Sequence, residues 1–99
     1  MDSKVRSLLS LCQKAGFLVT GEETSEKALR SKKAKLVIVS EDASENTKKK
    51  FSQKSFYYKV PYVEYGNREE LGACLGKGGR VTLVLTDAGF ADKLLKMLT

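Results

Sequence analysis

The strongest constraint on the fold of this chain is a regular alternation of helical and strand patterns, with short connections, over 99 residues. Val5, Leu8, Leu9, Cys12 and Ala15 recur at the three- and four-residue spacing of one helix face, and Gly16 stands where a C-terminal cap belongs. Phe17-Leu18-Val19-Thr20 reads as a short strand, and residues 21–33 are polar with good helix formers. Leu36-Val37-Ile38-Val39 is a β-branched run of the kind covered on both faces. Residues 43–57 form a polar helix with the narrow stripe Ala43, Thr47, Phe51, Ser55. Pro61 follows, then the strand Tyr62-Val63-Glu64-Tyr65. Asn67 suits a helix cap, with the helix running to about Leu75. Val81 to Leu85 is the fourth strand. A last helix carries Phe90, Ala91, Leu94, Leu95 and Leu98 on one face.

The order αβαβαβαβα implies crossover units, hence one three-layer α/β/α sandwich around a four-stranded, mostly parallel or mixed sheet. The whole chain, 1–99, is expected to form a single domain, since a chain this long buries roughly 60–70% of its unfolded surface and supports one core. No apolar run approaches the ~20 residues of a membrane helix, and the start Met1-Asp2-Ser3-Lys4-Val5-Arg6 lacks the continuous apolar stretch of a signal peptide. The expectation is a cytoplasmic monomer.

Chemistry is narrowed by what the chain lacks. Histidine is absent, which removes the commonest acid/base group near neutral pH, the commonest metal ligand and any histidine-based triad. Cys12 and Cys74 belong to no Cys-x-x-Cys pair, so they read as small buried apolar residues, and no metal or other cofactor is expected. Glu69 and Glu70 are adjacent and on a helix point about 100° apart, so they do not face each other as a catalytic pair.

The charge is uneven. Lys and Arg total 18 against 12 acids, a net +6. In the first 23 residues Lys4, Arg6 and Lys14 are balanced by Asp2, Glu22 and Glu23. The excess lies in Lys27, Arg30, Lys32, Lys33 and Lys35, opposed only by Glu26, and in Lys48, Lys49, Lys50, Lys54 and Lys59, opposed by no acid between residues 47 and 59. Lys77 and Arg80 add a smaller spot. Clusters of this kind suit a polyanion, because phosphate contacts release condensed counterions. Phe51, Phe56, Tyr57 and Tyr58 lie beside the second cluster and could stack on bases, although core packing suits Phe51 better.

Two local motifs sharpen this. Thr20 followed by Glu23 fits a capping box, and Glu23 with Lys27 and Glu26 with Arg30 have favourable helical spacing. Gly21 there would let another backbone approach amides at a helix start, and the neighbouring carboxylates could accept hydrogen bonds from base amino groups. Gly72-Ala73-Cys74-Leu75-Gly76-Lys77-Gly78-Gly79 resembles a phosphate-binding loop but is one residue short, puts Gly where Ser or Thr would hold magnesium, and runs from helix to strand. It reads instead as a basic, glycine-rich loop able to approach RNA closely.

The whole chain resembles the kink-turn-binding ribosomal proteins of the large subunit and their bacterial ribosomal-protein-like relatives. The resemblance is carried by residues 11–21, by residues 34–43 and by Val60-Pro61-Tyr62-Val63 followed by Glu70-Leu71-Gly72 and Gly76-Lys77. It implies an α/β/α sandwich that reads RNA with the start of the second helix and the loop before the last strand. Gly21 and Lys27 match the family's helix motif, while Glu23 stands at the usual asparagine position and Thr24 at the usual glutamate position. Arg68 stands where relatives carry a basic contact residue.

The resulting expectation is a non-catalytic, ribosome-associated protein that binds structured, kink-turn-like RNA, with ribosomal proteins as further partners. Gly21, Glu22, Glu23, Thr24 and Lys27 would meet base edges and sugar. Arg68, Lys77 and Arg80 would hold phosphates, and Lys32 and Lys33 would add salt-sensitive affinity. The alternative is a protein-interaction module that docks on a ribosomal or transcription partner through its lysine-rich helices. An enzyme is disfavoured, although similar domains serve as recognition modules of RNA methyltransferases.

Overall fold

In the computed structural model, which describes residues 1–99, five helices and four strands follow the expected order. They are α1 (Ser3–Lys14), β1 (Leu18–Thr20), α2 (Glu22–Arg30), β2 (Leu36–Val39), α3 (Glu45–Tyr58), β3 (Tyr62–Glu64), α4 (Arg68–Cys74), β4 (Thr82–Leu85) and α5 (Ala88–Leu98). No helix is long and apolar enough to cross a membrane.

The four strands form one sheet in the order β1-β4-β2-β3. The inner strands β2 and β4 are buried at every residue, while the edge strands β1 and β3 are partly exposed. This explains the continuous apolar runs of the inner pair, because each covers two faces. On one face Leu36, Ile38, Leu83 and Leu85 pack with Val5, Leu9, Cys12, Leu71 and Leu94 from α1, α4 and α5. On the other, Val37, Val39 and Val84 pack with Ala28, Leu29 and Phe51 from α2 and α3. The alternation of strand side chains thus divides the interior into two layers, giving the α/β/α sandwich.

The sheet is mixed, as the expectation of a mostly parallel or mixed sheet allowed, and one strand makes it so. β2 and β3 pair in parallel, while β4 pairs antiparallel with both β2 and β1. β1, β2 and β3 therefore share a direction, as crossover helices require, and β4 alone is reversed between β1 and β2. The cause is the chain after β3. α4 has only seven residues, and the glycine loop folds back along it. The Lys77 amide donates to Gly72 O (2.9 Å) and the Arg80 amide to Arg68 O (3.0 Å), which returns the chain to the end of the sheet where β3 finished. β4 can then only run back.

Local details also differ from the sequence reading. Ala15 and Phe17 are exposed, and α2 stops at Arg30, with Lys32 in the left-handed region (φ 62°) just beyond it. Asn67 caps α4 in a reciprocal box with Glu70, whose carboxylate also meets the amine of Met1 at 2.9 Å. Cys12 and Cys74 are buried free thiols, and burial together with the Asp87 carboxylate pushes the Cys12 thiol up to about 11.

Candidate nucleic-acid interface

The start of α2 is built by β1 and β4. Thr20 stays in the strand opposite Leu83, and its hydroxyl donates to Thr82 O at 2.8 Å. The Gly21 amide donates to the same oxygen at 3.2 Å. Thr20 therefore does not cap the helix, and the expected box with Glu23 does not form, because the strand has already taken its hydroxyl. Gly21 itself is the N-cap, at φ 98° and ψ 150°, a conformation open to glycine and strained for other residues. No side chain covers this helix end. The amides of Glu22, Glu23 and Thr24 are left without a protein acceptor, as donors at the positive end of the helix.

The acids beside them differ in their pairing. Glu22 accepts from Lys50 of α3 at 2.9 Å, and Lys50 also pairs with Glu26. The hydrogen bond from Lys50 is the main cause that holds the Glu26 carboxyl below its usual range, and the bonds to Glu22 and Glu26 raise the Lys50 ammonium above its own. Glu26 also meets Arg30 at 3.6 Å. Glu23 is exposed and makes no ion pair; the expected contact with Lys27 is not formed. Lys50 thus offsets part of the negative charge at the helix start, and the Glu23 carboxylate stays free as an acceptor.

The glycine loop supplies the opposite wall. Gly72 is buried, and a Cβ there would overlap the carbonyl oxygen of Gly78, so the loop lies directly against α4. Gly79 rests on the aliphatic stem of Arg68, which a Cβ would meet at 3.5–3.7 Å. The Arg68 guanidinium turns to Asp42, donating to its carboxylate (3.3 Å) and its backbone oxygen (2.9 Å), while the Arg68 amide donates to the same carboxylate. Arg68 therefore enters the site as the support on which the loop rests. Arg80 donates to Gly79 O at 3.0 Å, and neither Arg80 nor Lys77 has a carboxylate partner.

Between these walls lies a groove of about 550 Å³. It brings together Gly21, Glu22, Lys77 and Arg80, which are distant in sequence, and adds Thr20, Thr47 and Thr82. Glu23 and Thr24 follow on the same exposed helix start, and Lys27 lies a turn farther on. Lys32 and Lys33 are not part of it: they sit beyond the other end of α2, roughly 15 Å along the axis from Gly21. Sequence reasoning missed Lys50 and Thr47. The lysine run that contains Lys50 was visible, but nothing in it distinguished the one that reaches across to Glu22. Of the aromatics in that run, Phe51 is fully buried, whereas Phe56 and Tyr57 are 87% and 77% exposed.

Chemically, the groove and the exposed helix start beside it offer backbone donors and the unpaired Glu23 carboxylate on one side, and two free cations on the other. That combination suits a ligand with both base or sugar edges and phosphates.

Comparison with known proteins gives a consistent answer. Residues 3–95 match the model of the ribosomal protein L7Ae/L30e/S12e/Gadd45 family. The RNA-binding protein YlxQ of Bacillus subtilis is 47% identical over 91 residues, which cover 92% of this chain and 91% of that protein. The large ribosomal subunit protein eL30 of Spodoptera frugiperda is 38% identical over 90 residues, covering 89% of this chain and 80% of that one. Among solved structures, a Bacillus halodurans protein of unknown function superposes with a TM-score of 0.94 at 42% identity, covering 98% of both chains. The Giardia lamblia 15.5kD RNA binding protein superposes with a TM-score of 0.81 at 18% identity, over 96% of this chain and 84% of that one, and so shares the fold.

Proposed function

The chain belongs to the ribosomal protein L7Ae/L30e/S12e/Gadd45 family, and on that premise we propose that it is a non-catalytic RNA-binding protein that grips structured, kink-turn-like RNA in association with ribosomes in the cytoplasm. Its relatives are described as RNA-binding or as large-subunit ribosomal proteins. The observation that carries the reading is the groove joining the uncapped start of α2 to the unpaired Lys77 and Arg80.

The geometry supports a division of labour. Gly21 lets a nucleotide come close to the chain, and the amides of Glu22, Glu23 and Thr24 donate to acceptors on its base or sugar. The Glu23 carboxylate accepts from a base amino group, a task for which its lack of a partner leaves it free. Lys77 and Arg80 take the phosphates, and the glycine loop lets both approach the backbone closely. Lys50 reduces the repulsion that Glu22 would exert on the same phosphates. Arg68 holds the loop in register through Asp42. Lys27 is close enough to add a sugar or phosphate contact, while Lys32 and Lys33 contribute only long-range attraction to this groove.

Filter binding to a kink-turn RNA and to a plain duplex of equal length tests the proposal. The kink-turn RNA should bind more tightly, and the Lys77→Ala, Arg80→Ala double variant should lower the salt slope by roughly one unit per lost phosphate contact. Equally weak binding of both RNAs would rule out specific recognition.

A further inference from the structure

The lysine-rich face of α3 is not used by this groove, yet it has the make-up of a second contact surface. Lys49, Gln53 and Tyr57 lie along one stripe of the helix and line an open groove of about 610 Å³. A second groove, about 760 Å³, lies at the ends of α2 and α3 and is lined by Arg30, Lys32, Lys35 and Lys59. Tyr57 and Tyr58 line both, so the two form one continuous track. Their rings meet edge to face, with centroids 4.9 Å apart at 88°, and Tyr57 stands 77% exposed. Tyr57 therefore offers most of its ring surface to solvent beside Tyr58.

The charges along the track are open. Lys48 and Lys50, at the end nearer α2's start, are taken by Glu45, Glu64, Glu22 and Glu26. Lys49, Lys54, Lys59, Lys32 and Lys35 have no carboxylate partner, and Arg30 has only the 3.6 Å contact with Glu26. Lys32 and Lys59 are the only non-glycine residues with positive φ, at 62° and 59°, and each stands just past a helix end where glycine fits with less strain. Both line the second groove, so lysine occupies these two positions despite the backbone conformation.

We infer that this track binds a single-stranded RNA segment, with one base stacked on Tyr57 and phosphates on the flanking lysines. An exposed aromatic platform among unpaired cations is the arrangement that holds unpaired nucleotides with little regard to sequence. The track and the first groove share a helix: Thr47 of α3 lines that groove, and Tyr57 follows ten residues, about 15 Å, farther along it. A strand leaving a structured RNA in the first groove would run along α3 toward Tyr57. The inference builds on the reading of the chain as an RNA-binding protein but rests on residues that do not line the first groove.

Fluorescence anisotropy of a labelled 12-nucleotide oligouridine with the full chain tests it, because this RNA has no fold for the first groove to recognise. Binding should weaken about 5- to 150-fold in Tyr57→Ala, the loss of one stacked base, and be restored in Tyr57→Phe. In Lys32→Gly, Lys59→Gly, a variant that relieves the backbone, the salt slope should fall by about 1.4 while the thermal midpoint holds or rises. Lys77→Ala, Arg80→Ala should cost much less oligouridine affinity than Tyr57→Ala does, even where its grip on a kink-turn RNA is lost. Unchanged binding in Tyr57→Ala, or an unchanged slope in the glycine variant, would overturn the inference. Failure of the parent to bind oligouridine, with a kink-turn RNA still bound, would overturn it while sparing the first groove. Capture of an acidic protein in place of oligouridine would mark the track as a protein-docking surface and overturn it as well.

Discussion

Replacing Gly72 by alanine sets two physical effects of opposite sign against each other. Gly72 lies inside α4, where helix propensity favours alanine over glycine by about 0.5–1 kcal/mol. By propensity alone the variant should be more stable. The added Cβ, however, would overlap the carbonyl oxygen of Gly78, lie 2.7 Å from that residue's carbonyl carbon and 3.1 Å from the Cα of Gly79. Comfortable carbon contacts begin near 3.5 Å, so the loop must retreat by about 1 Å. Its neighbours are backbone atoms, and it is anchored by hydrogen bonds of 2.9 and 3.0 Å that the Lys77 and Arg80 amides donate to Gly72 O and Arg68 O, so it cannot give way as a side chain would. Overpacking of this kind costs about 1–3 kcal/mol. The difference leaves a net destabilisation of up to about 2.5 kcal/mol, a fall in thermal midpoint of up to about 20 °C for a domain this small. The displaced loop carries Lys77 and Arg80, so the salt slope of RNA binding should drop by up to about two units. Calorimetry and a salt titration check the two parts. A higher midpoint with unchanged RNA binding would refute the reasoning, since it would mean that the loop does not rest on Gly72.

Other perturbations probe separate parts of the account. Lys50→Ala frees Glu22 and Glu26 and should lower the midpoint at pH 7. Because the Glu26 carboxyl is depressed below its ordinary 4.5, its stabilisation is complete above that pH and is lost as the pH falls through the lowered value, so the acid limb of a stability–pH curve should be flatter in the variant. Phe51→Ala should cost about 3–5 kcal/mol in chemical denaturation, while Phe56→Ala, five positions away and 87% exposed, should stay within about 0.5 kcal/mol. With the Cys12 thiol held near 11, only about one in a thousand molecules carries its thiolate at pH 8, and Ellman's reagent should label it slowly until the chain unfolds.

Much of the fold was legible in the sequence because burial writes itself into residue choice. Leu36 to Val39 and Thr82 to Leu85 are buried at every position, and the β-branched run Leu36-Val37-Ile38-Val39 marked β2 as a strand covered on both faces. The direction of β4 was not legible, since it depends on the Arg80 amide finding Arg68 O, a contact between main-chain atoms that leaves no compositional trace. The uncapped start of α2 was hidden for a similar reason. Thr20 has the right side chain at the right spacing from Glu23, and only the competing carbonyl of Thr82 shows why it does not cap. Gly21, Lys77 and Arg80 stood out as glycine and charge signals, and the groove that unites them fits that reading. Arg68 carried the same signal of charge, but Asp42, 26 positions earlier, claims it. Lys50 was one of five lysines in a run, and its selection depends on which of them the helix turns toward α2.

The most direct test of the central claim is an amide-resolved NMR titration of the chain with a kink-turn RNA. The account predicts that the largest saturable shifts fall on the amides of Gly21 to Thr24 and of Lys77 to Arg80, with the α1 and α5 faces unmoved. Saturable shifts confined to α1 and α5, or shifts of the same small size with a plain duplex, would contradict it.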